Sequence, residues 1–429
     1  MTFQTKSITL VGAHGGYAGH NVPLGGSATI FECLLEEWKS RPDLSLKILS
    51  PGPGYQTWHQ SLRDRNIASP QDYTRVHPSS LGYNDYARFS RFFERTATEY
   101  LCARPAPAGA WVIANDICEG PDITRLRAHG YKVMTLIHVD VVDYMTGMYL
   151  KKALSPEFLC RFWNLLRAVG INRILPDILR LIFDKQRVVM TESDAVVVPS
   201  PHMREIILRC YPDADLTRIH SIPWGNPHAG AWQSPSDDSL AAWKQKHGIR
   251  PDRFVILTLS RISPEKGLDR LLNALLLLEQ NAPEAAGRCL VVIAGTAAYM
   301  EGPRTLALLK KTVSRLRLVQ VIFPGHLTGT DKSCAFAAAH LYAFLSRHES
   351  YGLTLSEARA AGLPCLVSRE VEALHPPEPG VTGINADQPD ILSESLHLLI
   401  QNHGSSAPRI PSQTKSFSES AREILELMN

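Results

Sequence analysis

Residues 347–364 read RHESYGLTLSEARAAGLP, and this stretch decides the fold. It lies between two short apolar runs, Leu341–Leu345 before it and Cys365–Val367 after it. Strand, loop, helix and strand in that order make a unit of a parallel sheet. The stretch also holds two carboxylates, Glu349 and Glu357, separated by seven residues. A helix starting near Leu353 leaves Glu349 in the loop before its N-terminus and Glu357 about one turn inside it. Backbone N–H groups and the positive end of the helix dipole then lie between the acids. Such a place suits a ligand that is anionic at one end and rich in hydroxyls at the other, such as a nucleotide-sugar.

Working outward, the same alternation runs through the second half. Strand Phe254–Leu259 is followed by a helix around Leu268–Glu279, and strand Leu290–Ala294 by a helix around Thr305–Leu316. Strand Gln320–Phe323 and a short helix at Lys332–Ala339 then lead to Leu341–Leu345. Regular alternation of this kind predicts a doubly wound parallel sheet. At the tip of its first strand, SRISPEKG carries Arg261 and Lys266. A guanidinium grips phosphate oxygens in pairs and an ammonium adds a mobile point charge, so the two together suit a diphosphate.

The first half opens in the same style. Ile8–Val11 runs into GAHGGYAGHNVPLGG, and Ile30, Leu34, Leu35 and Trp38 follow at helical spacing. Glycine-rich backbone can approach a phosphate closely, although Gly12, Gly15, Gly16 and Gly19 do not form G-x-G-x-x-G. Further strands are expected at Leu46–Leu49, Trp111–Ala114, Lys132–Ile137 and Ser193–Ser200. His138 stands at a C-terminal strand end, where ligands of open parallel sheets bind. Asp140 and Asp143 follow it at a spacing too common to argue for a metal.

Two segments have basic and apolar residues interleaved. In 86–100, Tyr86, Phe89, Phe93 and Tyr100 form one helical stripe and Arg88, Arg91 and Arg95 another. In 161–187, Ile171, Ile174, Leu175, Ile178, Leu179 and Ile182 form a stripe beside six basic residues and two acidic ones, Asp177 and Asp184. Pro176 is expected to start a new helix there. Each segment reads either as a packed helix with a solvated face or as a peripheral contact with an anionic membrane, and 161–187 also as an acceptor-binding flap.

The domains expected are 1–225, a linker at 226–250 marked by turn and polar residues, and 251–410. The whole has 429 residues, 44% apolar and 20% charged, which is globular composition. A formal charge of +3, from 45 basic and 42 acidic residues, gives no support to nucleic-acid binding. Eight cysteines lie scattered without metal spacing, as in a reducing cytosol, and no signal peptide or membrane span is apparent. The expected location is cytoplasmic, with the inner face of a membrane as the surface that the basic segments would meet.

SRISPEKG together with HESYGLTLSEARAAGLP resembles the second domain of the retaining glycosyltransferases of family 4. That family has the GT-B fold, two Rossmann-like parallel-sheet domains facing a central cleft. PLGG at 23–26, His138, SDAVVVPS at 193–200, IPWGNP at 222–227 and Phe417-Ser418 before a terminal helix resemble its other motifs. The resemblance implies that helix 415–429 crosses back to the first domain. It implies that Arg261 and Lys266 hold a donor diphosphate, Glu357 the ribose and Glu349 the sugar, with N–H groups at Tyr351, Gly352 and Leu353 reaching phosphate. Gly25 and Gly26 would approach the same diphosphate and His138 the sugar.

Catalytic candidates are therefore His138, Arg261, Lys266 and Glu349, with no cofactor and no metal expected. The implied reaction moves a hexose, expected from a UDP-sugar, to a carbohydrate, lipid-linked or small-molecule acceptor with retention of configuration. Departures from the family are Arg359 two residues after Glu357, and SREVEALHPPEPGVTG where a glycine pair is usual. A long segment also separates His138 from SDAVVVPS. A GT-B epimerase or phosphorylase, and a non-catalytic nucleotide-sugar-binding protein, remain alternatives on the sequence alone.

Overall fold

The computed structural model describes residues 5–15, 25–51, 81–150, 153–226, 234–297, 301–372, 379–402 and 415–429. The chain forms two compact units, Met1–Trp224 with Phe417–Asn429, and Gly225–Ser416.

In the first unit six strands, β1 (Lys6–Val11), β2 (Leu44–Leu49), β3 (Trp111–Ala114), β4 (Lys132–Leu136), β5 (Ala195–Val198) and β6 (Ile219–Ser221), form one sheet. Its order is β2-β1-β3-β4-β5-β6 and every pairing is parallel. β3 and β5 are buried at every residue, as expected of strands covered on both faces. The helices are α1 (Gly26–Trp38), α2 (Tyr83–Leu101), α3 (Ile123–Ala128), α4 (Val141–Met148), α5 (Pro156–Ala168), α6 (Asp177–Glu192) and α7 (Pro201–Cys210). α1 buries Ala28, Ile30, Phe31, Leu34 and Trp38, the stripe that its spacing predicts.

The two basic segments behave differently. On α2, Phe89 and Phe93 are fully buried and Tyr86 and Tyr100 pack against the same core. Its arginines form the solvated side, where Arg91 meets Asp177 at 3.4 Å. α6 starts directly after Pro176 and turns Leu179, Leu181 and Ile182 to the core. Ile171 and Ile174, in the turn before it, stay exposed.

The second unit holds β7 (Phe254–Leu259), β8 (Cys289–Ala294), β9 (Gln320–Gly325), β10 (Leu341–Phe344), β11 (Cys365–Ser368) and β12 (Val381–Ile384). Their order is β12-β11-β10-β7-β8-β9, again all parallel. The helices are α8 (Asp237–Lys246), α9 (Leu268–Asn281), α10 (Pro283–Arg288), α11 (Gly302–Val313), α12 (Gly329–Ala338), α13 (Leu353–Ala360), α14 (Arg369–Glu372) and α15 (Pro389–Gln401).

Residues 226–250, expected to be a linker, fall inside this unit. Ser236 caps α8 by accepting from the Ser239 N–H at 3.3 Å, and Trp243 is buried with Val255, Leu257 and Phe336. One tryptophan in DDSLAAWKQK is too sparse an apolar signal to reveal that packing in advance.

The last helix, α16 (Phe417–Glu426), belongs to the first unit. Ser420 Oγ donates to the Pro223 carbonyl at 2.8 Å, Ser418 Oγ to Glu37 at 2.6 Å, and Lys6 Nζ to Asn429 at 2.8 Å. Phe417, Ala421, Ile424 and Leu425 supply its buried face.

Candidate functional site

In an open parallel sheet, neighbouring strands whose connections leave in opposite directions open a crevice beyond their C-terminal ends. The second unit reverses between β7 and β10. Arg261 and Lys266 follow β7, and Glu349 follows β10. Lys266 Nζ lies 2.7 Å from Glu349 Oε2, and both side chains are largely buried. The geometry therefore joins the loop cation and the loop acid that the sequence points to. Arg261 lies 3.5 Å from Glu265, a buried carboxylate that also accepts from Ser263 Oγ at 2.5 Å. Burial pushes the Glu265 carboxyl up, but Lys266, Arg261 and Ser263 outweigh it and hold it below the usual range.

Backbone and ion pairs fix these two loops against each other. Arg347 N–H donates to the Glu265 carbonyl at 2.7 Å, and its guanidinium grips both Asp269 oxygens at 2.7 Å. Buried Arg270 donates to the Leu345 and Ser346 carbonyls at 3.0 and 3.3 Å and pairs with Asp387 and Glu370. Gly267 is left-handed at φ +63°, and a Cβ there would stand 2.0 Å from the Leu345 oxygen. Only glycine lets the β7 and β10 loops come so close.

The helix begins at Leu353, as the spacing predicts. Gly352 ends the loop at φ +87°, and no side chain caps the helix, so the first-turn N–H groups are not taken by a cap. Glu357 is buried in the second turn and accepts from Lys332 Nζ at 2.6 Å. Tyr351 is pushed up to about 12 by burial. Burial also holds the Arg359 guanidinium below its ordinary range, against the influence of Cys365 and Tyr351.

The first unit reverses between β1 and β3. His14 follows β1, and Asn115, Asp116 and Glu119 follow β3. His14 Nε2 lies 3.4 Å from Glu119 Oε1, which also accepts from the Tyr86 hydroxyl. One ligand atom each from His14, Asp116 and Glu119 lie within 4.8 Å of one another, the group among the described residues with the spacing of metal ligands. Burial, then the charge of Glu119, raises Asp116 to about 7. Glu119 itself is held low: burial works against it, but hydrogen bonding and the charge of His14 prevail, with Tyr86 and Lys185 adding to them.

His138 is buried one strand along. Its Nε2 lies 3.2 Å from Asn115 Oδ1, and its ring packs 5.3 Å from that of Trp224. Burial pulls its pKa down to about 3, so the ring is neutral near pH 7. Asn115 Nδ2 donates to the Ser27 carbonyl at 2.9 Å, which ties His138 to the start of α1. Gly25 occupies the N-cap of α1 in extended conformation and Gly26 is its first residue. Gly12 and Gly15 have a packing reason: a Cβ on either would stand within 2.9 Å of the Phe31 ring. Gly16, Gly19, Pro23 and Leu24 lie outside the described residues. Asp140 caps α4 through the Val142 and Asp143 N–H groups and accepts from Gln186, which accounts for its spacing from His138.

Sequence reasoning passes over His14, Asn115, Asp116, Glu119, Lys332 and Arg270. Asn115 and Asp116 carried one usable signal, since they end a buried strand.

Residues 241–423 match the family described as "Glycosyl transferases group 1". Mannosylfructose-phosphate synthase of Agrobacterium fabrum is 28% identical over 182 residues, 42% of this chain and 39% of that protein. D-inositol 3-phosphate glycosyltransferase of Salinispora arenicola is 27% identical over 231 residues, 52% and 50% of the two chains. The match thus spans half or less of these relatives' own length. Among solved structures, HepE of Anabaena in complex with UDP and glucose is similar, with a TM-score of 0.61, 16% identity and 98% of each chain covered. Sucrose-phosphate synthase of Thermosynechococcus elongatus gives a TM-score of 0.62 at 16% identity, with 99% and 95% covered. At that identity the likeness establishes the fold, two Rossmann-like units of the GT-B class.

Proposed function

We propose, from the match of residues 241–423 to the group 1 glycosyl transferases, that the chain transfers a hexose from a nucleotide-sugar with retention of configuration. The expected donor is a UDP-hexose and the acceptor a carbohydrate, lipid-linked or small-molecule hydroxyl. The observation that carries the reading is the Lys266–Glu349 pair, 2.7 Å apart across the strand reversal and just before an uncapped helix start. A donor has the matching polarity, a diphosphate at one end and hydroxyls at the other.

Breaking the bond between the anomeric carbon and phosphate leaves an oxocarbenium-like sugar and a diphosphate gaining negative charge. Arg261, Lys266 and the first-turn N–H groups of α13 aim positive charge at that leaving group, which lowers the barrier directly. Glu349 accepts hydrogen bonds from sugar hydroxyls. Glu357, oriented by Lys332, accepts from the ribose. The chain's own cations balance the diphosphate, so the reading calls for no metal ion. In the first unit, neutral His138 is suited to hydrogen bonding with a sugar hydroxyl. The His14, Asp116 and Glu119 cluster is suited to an acceptor hydroxyl, with Asp116 near its midpoint at neutral pH.

Relatives support the donor class in two ways. HepE was solved with UDP and glucose, whereas a mannosyltransferase of Mycolicibacterium smegmatis, 28% identical over 166 residues, is named as GDP-mannose-dependent. Thermal-shift measurements across nucleoside diphosphates and their sugars, followed by nucleotide release with and without acceptor, test the proposal. A UDP-sugar should raise the melting temperature and then be slowly hydrolysed. Donor binding without turnover would make the chain a binding protein, epimerised donor an epimerase, and turnover that needs inorganic phosphate a phosphorylase.

A further inference from the structure

Of the thirteen large apolar residues exposed among the described ones, eight lie between residues 149 and 174. Along α5 and its C-cap Val169, Phe158, Phe162, Leu165 and Val169 recur at i, i+4, i+7 and i+11, which puts them on one stripe. Ile171 and Ile174 extend it into the turn that follows, where Ile174 is 84% exposed and Leu165 and Val169 are each 61% exposed. The helix is not free to roll this stripe inward. Trp163, on its other face, stacks on Phe183 at 4.8 Å and donates through Nε1 to Asp184 at 2.7 Å, while Cys160 is buried beside Tyr211.

The unpaired charge around the stripe has one sign. Arg161 precedes Phe162 and Arg173 lies between Ile171 and Ile174; both are exposed and neither pairs with a described acid. The acids of the region are occupied. Glu157 pairs with Arg209, Asp177 with Arg91 and Arg180, and Asp184 accepts from Trp163 and Asn172. Fixed apolar side chains rimmed by unpaired arginines match a surface that offers acyl chains under anionic headgroups. No helix of the described residues is long and apolar enough to cross a membrane, so the match is to a surface helix. A two-fold contact between copies would set the same arginines against each other, at a cost in like-charge repulsion.

We propose that α5 and the turn through Ile174 dock on an anionic phospholipid surface, with the apolar stripe in the interface and Arg161 and Arg173 on the headgroups. The proposal does not depend on the donor assignments, because binding is measured without sugar-nucleotide or acceptor.

The experiment is co-sedimentation of the full chain with phosphatidylcholine vesicles, with and without phosphatidylglycerol. Binding is expected with the anionic vesicles and should weaken as salt is added. Phe162→Ser with Leu165→Ser should cut partitioning about tenfold or more, and Arg161→Ala or Arg173→Ala about fivefold each. These side chains are exposed, so circular dichroism should remain unchanged. Ile174→Ser gives an independent reading if the double variant misfolds. The proposal is overturned by no binding to anionic vesicles, by binding indifferent to phosphatidylglycerol, or by stripe variants that bind like wild type. A dimer in sedimentation velocity that these variants dissociate would overturn it in favour of a second copy as the occupant.

Discussion

Lys266→Ala is the sharpest test of the second-unit site, because its two consequences can be measured separately. Lys266 Nζ and Glu349 Oε2 lie 2.7 Å apart, and their side chains are only 13% and 14% exposed. At an effective dielectric constant of about 20, unit charges at that distance attract by about 6 kcal/mol. Desolvation offsets much of this, and the net worth of such a pair is far smaller. Removing the lysine leaves Glu349 without its main counter-charge, so the melting temperature should fall. If Lys266 also meets the leaving diphosphate, kcat/KM should fall by about 10²–10³, or ~3–4 kcal/mol by comparison with lost oxyanion donors.

The double variant Lys266→Ala/Glu349→Gln separates the two effects. Neutralising Glu349 removes the stranded charge, so much of the lost melting temperature should return. Transfer should not return, because the diphosphate still lacks its cation. Steady-state transfer and thermal unfolding of the four proteins complete the cycle. Recovery of kcat/KM in the double variant, or a single variant within roughly threefold of wild type, would show that the lysine only holds the loop in place.

Glu357→Gln should weaken UDP binding about tenfold or more, the range for hydrogen bonds to a charged acceptor, and leave kcat nearly unchanged. Calorimetric titration with UDP checks this, and an unchanged Kd removes the ribose assignment. Asp116→Asn should act on stability according to pH. Its folded pKa is raised to about 7 by burial and Glu119, so the stability it contributes is present below its unfolded value, about 3.9. That stability is lost as pH rises through about 7. Urea unfolding should show the variant gaining on wild type at pH 8 and losing the gain near pH 4; a constant difference across that range would mean that Asp116 is not poised as described.

The parallel sheets were legible because their strands are continuous apolar runs. β3, β5, β8 and β10 are buried at every residue, and no surface alternation obscures them. The E-x7-E stretch was legible for a related reason, since its helix start and both acids lie within one local segment. What stayed hidden is assembled across the chain. The acidic cluster of the first unit draws on positions 14, 86, 116 and 119, and the Lys332–Glu357 pair joins two helices. Neither leaves a periodic trace. The outer stripe of α5 was hidden by composition instead. FLCRFWNLL is apolar almost all round, and the inward packing of Cys160 and Trp163, with Leu159 and Leu166 beside them, separates its two faces.

The reversals in strand order explain why the charged residues lie where they do. At β7/β10 the connections diverge, so the loops beyond those strand ends are not covered by a crossing helix and can carry polar groups held rigidly at their base. Arg261, Lys266 and Glu349 occupy those two loops. His14, Asn115, Asp116 and Glu119 occupy the equivalent pair beyond β1 and β3. In the second unit, the loop after β8, away from the reversal, begins GTAAYM, without a charged residue before Glu301. Topology therefore selects among residues that a motif alone treats alike. Arg359 belongs to the same sequence stretch as Glu349, but it sits in the last turn of α13, where burial depresses its guanidinium. The groups whose charge acts on it are Cys365, the first residue of β11, and Tyr351.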